Sequence, residues 1–124
     1  MTFTDLEKSA IMCGLVKLAY VDGNLSQTEK NLYMQITKKL GINDFNIKLA
    51  SHLDANPSKA IEAVQAFSQE KKELFSALLH KMMNADGIQH ISEKGFIEGT
   101  QIFYNLPPIT PDKANRLFYE FMTM

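Results

Sequence analysis

The chain has 124 residues, with 13 Lys plus Arg against 14 Asp plus Glu, a formal charge of −1 and a single arginine, Arg116. Its length suits one domain, residues 1–124, able to bury a core without disulfides or a structural metal, and so even a charge balance argues against a nucleic-acid partner, which needs a basic patch. The one cysteine, Cys13, lies inside the apolar run AIMCGLV, which fits a reducing compartment and a thiol packed as a small hydrophobe.

Apolar residues recur at three and four nearly everywhere and never alternate with polar ones over a strand length, so the chain reads as all-α. The first helix opens at a capping box, Thr4 with Glu7, and runs to about Val21. From Ala10 onward it is apolar nearly all round, as expected of a helix surrounded by others. The same stretch is cut by Lys17 and too short to span a bilayer, and the acidic opening MTFTDLEK is unlike a signal peptide, so the expectation is no membrane insertion and a cytoplasmic location.

Ser26 and Glu29 form a second capping box, opening a helix through Leu32, Tyr33, Ile36 and Leu40 that stops at Gly41. A third helix spans about Asp44 to Leu53. Asn56 can cap and Pro57 can start a fourth helix, to about Phe67. Ser68 begins a fifth, whose first turn carries EKKE, expected to be solvated. This helix carries Leu74, Phe75, Leu78, Leu79, Met82 and Met83, resembles the first in being mostly apolar, and ends at Asp86-Gly87. Ser92 caps a sixth helix ending near Asn105, where Leu106-Pro107-Pro108 breaks it, and Thr110-Pro111 opens a seventh with Leu117, Phe118, Phe121 and Met122.

The pattern of an apolar helix, an Asp-Gly turn and a following helix thus occurs twice, as YVDGNLSQTE and NADGIQHISE, with a glutamate seven residues beyond each aspartate. Asp22 and Asp86 would sit at helix C-termini, where the macrodipole disfavours a carboxylate by roughly 0.3–1 kcal/mol. Asp-Gly is also simply a good turn pair, and Glu29 is explained by its capping box. Glu93 is not, because the residue three after Ser92 is Gly95. Short connections and alternating directions would make the first and fifth helices parallel and place both turns at one end of the bundle. Asp22, Glu29, Asp86 and Glu93 could then converge into an oxygen-rich site for a divalent cation. An EF-hand is excluded, since the first half of its loop would fall on Leu18 and Tyr20, or on Met82 and Asn84.

The segments LVKLAYVDGNLSQTEKNLYMQITKKLGI and LLHKMMNADGIQHISEKGFIEGTQIFYNLP resemble the two halves of a TerB-like domain, the family named for tellurite-resistance proteins. The resemblance implies an all-helical fold with two pseudo-twofold-related halves, bacterial origin, a link to tellurite resistance or stress responses, and divalent metal held by Asp22, Glu29, Asp86 and Glu93. It departs from the family at Asn24 and Ile88, where a further acid often stands, which implies a weaker or absent site.

Other candidates carry less. His90 could add a nitrogen ligand favouring zinc or manganese, though a solvated loop histidine is the commoner case. His52 and His80 make no metal-ligand spacing with another histidine. Gly95 and Gly99 share a face of the sixth helix and suggest close helix packing. Neither a nucleophile–base pair nor a phosphate loop is present, so an enzyme is not expected. The two function classes left are a TerB-like domain binding a divalent cation and a metal-free helical adaptor of the same fold. The adaptor would dock another protein on a surface such as the Phe118, Phe121 and Met122 face, a face that is more often core.

Overall fold

A computed structural model describes residues 1–19, 26–85 and 104–124. Those residues form six helices and no strand: α1 (Asp5–Ala19), α2 (Gln27–Leu40), α3 (Asp44–Ala55), α4 (Pro57–Gln65), α5 (Gln69–Met83) and α6 (Pro111–Met122). The all-α expectation holds for them. The sixth predicted helix, with Gly95 and Gly99, lies outside the described residues except at its end. There Asn105 takes a left-handed conformation, φ 55°, ahead of Leu106-Pro107-Pro108; asparagine is among the few non-glycine residues that tolerate it.

The helix ends follow from local hydrogen bonding. Thr4 and Glu7 exchange backbone-to-side-chain bonds of 2.8 and 3.1 Å at the start of α1. Ser68 and Thr110 accept from Lys71 and Lys113 N–H to start α5 and α6. Gly41, φ 71°, ends α2 in a Schellman arrangement, its own N–H bonding Lys38 O while Ile42 N–H bonds Thr37 O. Two caps differ from expectation. Asn56 makes no side-chain cap on α4, because its Nδ2 is turned back to donate to His52 O at 2.8 Å; Pro57 alone sets the first turn. Asn43 instead caps α3 through a reciprocal pair with Asn46, at 2.9 and 3.0 Å.

Among the described elements α1 and α5 contribute the most to the core, as their all-round apolarity predicts. Ile11, Leu15 and Leu18 of α1 and Phe75, Leu78 and Met82 of α5 are sealed from solvent. The two helices run the same way, because two cross-contacts follow the same order along both: Glu7 pairs with Lys71, and Gly14 packs on Phe75. The ends at Ala19 and Met83 therefore lie at one end of the bundle. α3 packs along α1, α6 along α5, and α2 is held more loosely by both central helices. EKKE is not the solvated start expected of it. Lys71 is largely covered, ion-paired to Glu7 at 2.8 Å with its ammonium 5.5 Å from the Phe3 ring centre, and Glu73 pairs with Lys113 at 3.4 Å. A charge on a helix's first turn is solvated only if no neighbour lies over it, and here α1 does.

Candidate metal centre

Of the four acids expected to converge, Glu29 is described; Asp22, Asp86 and Glu93 lie outside the described residues, as does His90. Glu29 sits in the first turn of α2 and does form the expected capping box. Its N–H donates to Ser26 Oγ at 3.1 Å, and its Oε1 accepts from Ser26 N–H at 3.4 Å. The second of these bonds is long for an N–H···O contact. The box therefore uses one carboxylate oxygen weakly and leaves the other unused.

That other oxygen is the informative atom. Glu29 is only 3% exposed, and Oε2 has no hydrogen-bond partner among the described residues. A cap needs neither feature, since most N3 glutamates lie on the surface where water satisfies the spare oxygen. Burying a carboxylate oxygen without a partner costs about 1–3 kcal/mol or more. Bound cations are among the few partners able to offset such a cost.

The surroundings of Glu29 are set by helix order. A groove of about 310 Å³, which Glu29 itself does not line, runs between Thr28, Asn31, Leu32 and Gln35 of α2, Lys81 of α5 with Asn84 and Ala85 just beyond that helix, and Phe118 of α6. The start of α2 thus faces the last turn of α5 and the two residues that follow it, Asn84 and Ala85. There Asn84 closes α5, its Nδ2 donating to His80 O at 2.9 Å. The described residues bring together the start of α2 and the end of α5, with α1 ending on the same side. Among them no group of three His, Cys, Asp or Glu side chains is arranged to hold a metal.

The remaining candidates resolve plainly. Cys13 is buried, and burial pushes its thiol above the ordinary range, so it stays protonated and packs as a hydrophobe. His80 is partly buried, which lowers its pKa, and the neighbouring Lys81 lowers it further. On the α6 face Phe121 is core, 2% exposed and meeting Phe3 edge-to-face at 6.4 Å, while Phe118 and Met122 are half-buried against the same cluster.

Sequence reasoning passed over one charged cluster. Lys17 pairs with Asp54 of α3 at 3.2 Å. Burial alone would lower the Lys17 pKa, but the bond to Asp54 and its negative charge outweigh this and raise it. Nothing in the spacing of residues 17 and 54 announces this; only the α1–α3 packing does.

No family model matches the chain, and no curated protein matches it. A crystal structure of a protein of unknown function from Porphyromonas gingivalis is similar to it, with a TM-score of 0.76 over 96% of this chain and 98% of that one. At 23% identity the similarity shows a shared helical fold and nothing further.

Proposed function

We propose that this chain is a TerB-like stress-response domain, related to tellurite resistance, that binds one divalent cation through Asp22, Glu29, Asp86 and Glu93. The observation that carries the reading is the buried, unpartnered Oε2 of Glu29. Two further facts support it: α1 and α5 run the same way, and the start of α2 abuts the end of α5. All four acids are hard oxygen donors, which suit calcium, magnesium or manganese, with zinc a weaker fit unless His90 joins. Repulsion among the carboxylates would destabilise the cation-free fold, and the cation would relieve it. The role is binding rather than catalysis. The cation would brace two loops at one end of the bundle, and any partner protein would read the braced form.

Melting curves test the reading. A cation at a hundred times its dissociation constant should add about 2.7 kcal/mol of stability by linkage. Asp22→Asn combined with Asp86→Asn should stabilise the cation-free protein and abolish that response. Wild-type melting that is indifferent to calcium, magnesium, manganese, zinc and chelator would overturn the proposal.

A further inference from the structure

α2 is unevenly anchored. Over residues 27–35 the one buried side chain is Glu29; Leu32 and Tyr33 are half-buried and the others are exposed. The apolar anchors, Ile36 and Leu40, lie at the far end of the helix at 0% and 5% exposure, where Lys39 Nζ also donates to Met124 O. At the near end a groove of about 310 Å³ parts α2 from α5 and α6. The side-chain bonds of Ser26, Gln27, Glu29 and Asn31 to described residues stay within that stretch, Ser26 with Glu29 and Gln27 with Asn31. The first half of α2 is thus fixed to the bundle chiefly by burying a carboxylate, and α2 as a whole packs sparsely on α1 and α5.

Burial of Glu29 ties this loosely held stretch to the cation. An unpartnered carboxylate oxygen is penalised only while it is buried, so lifting α2 relieves it by returning it to water. A bound cation reverses the balance, because it supplies the missing partner only in the docked arrangement. A ligand that binds one of two arrangements shifts the population toward it by its differential affinity. The element that responds is the one with the fewest buried apolar contacts to lose, and the near end of α2 answers that description.

We propose, resting on the cation reading above, that α2 is the moving part of the site. With the cation bound it lies docked on α1 and α5; without it the first half lifts, pivoting at the 36–40 end, and bares Leu32 and Tyr33.

The test is hydrogen exchange of the full chain, followed amide by amide by NMR, beside a calorimetric titration of the same sample with calcium, magnesium, manganese and zinc. In chelator, the amides of residues 31–35 should open about tenfold or more as often as those at the middle of α3 and α5, since an undocked helix of this length is marginal in water. Whichever metal binds, at a hundred times its dissociation constant, should slow that opening about a hundredfold. Glu29→Gln, which keeps the cap and removes the buried charge, should open α2 less often than wild type in chelator and respond to no metal. Binding in the calorimeter with α2 as protected in chelator as α3 and α5 would overturn the moving helix and leave the cation site standing. Binding that slows no α2 amide, or equal opening of α2 in wild type and Glu29→Gln, would overturn it too. No binding by any of the four metals would overturn both the moving helix and the cation site.

Discussion

Gly14 of α1 lies directly under the ring of Phe75 of α5: a Cβ at Gly14 would stand 2.5 Å from Cζ. Real carbon atoms do not approach so closely, so the absence of a side chain sets the distance between the two central helices. Phe75 cannot swing aside, because it is fully buried and packed on Phe67 at 6.1 Å between ring centres.

Gly14→Ala should therefore be net destabilising by about 1 kcal/mol, since overpacking costs about 1–3 kcal/mol and the better helix propensity of alanine returns about 1. In a Phe75→Leu background the same substitution should become neutral or stabilising. Urea denaturation of the four proteins in this cycle checks the reversal of sign.

Leu18→Ala and Leu78→Ala should each cost about 2–5 kcal/mol, because both side chains are fully buried in the central helices. Denaturation showing under about 1 kcal/mol at both would mean that α1 and α5 do not form the core.

The Glu7–Lys71 pair predicts a pH dependence. Burial alone would raise the Glu7 pKa, but the bonds from Lys71 Nζ and the Thr4 N–H outweigh it and hold the carboxyl below its usual value. Because the folded value is depressed, the stabilisation is fully present above the unfolded pKa of about 4.3 and is lost as pH falls through the folded one. Lys71→Met should cost about 1–3 kcal/mol at pH 7 and flatten the acid limb of stability. Melting temperatures from pH 7 down to pH 2.5 for both proteins measure it.

Helix starts were legible wherever the cap lay in a short sequence signature, as at Thr4, Ser26, Ser68 and Thr110. The Asn43–Asn46 box was not, because asparagine at the third helical position is an unusual partner. Asn46 serves there for a long-range reason, donating to Asp5 Oδ1 at 2.9 Å while its carbonyl accepts from Ser9 Oγ at 3.2 Å. Gly14 was passed over for the same kind of reason: a glycine in an apolar helix does not say which ring will lie on it. At the candidate site, spacing singled out Glu29, but its burial depends on where α2 sits against the central helices. A capping box reads identically in sequence whether its second oxygen meets water or protein.

Glu29→Gln separates the two roles of that residue. Glutamine can still accept from Ser26 N–H, so the cap survives, while the buried charge is removed. The variant should be at least as stable as wild type without cations and should lose cation-induced stabilisation. Cation-induced stabilisation that persists undiminished in the variant would instead assign Glu29 to capping alone.

The most direct measurement is a calorimetric titration of chelator-treated protein with calcium, magnesium, manganese and zinc in turn. The account predicts saturable binding of one cation per chain to wild type by at least one of them, and none to Glu29→Gln or to the Asp22→Asn, Asp86→Asn double variant. Absence of binding by all four, or equal binding to wild type and Glu29→Gln, would contradict it.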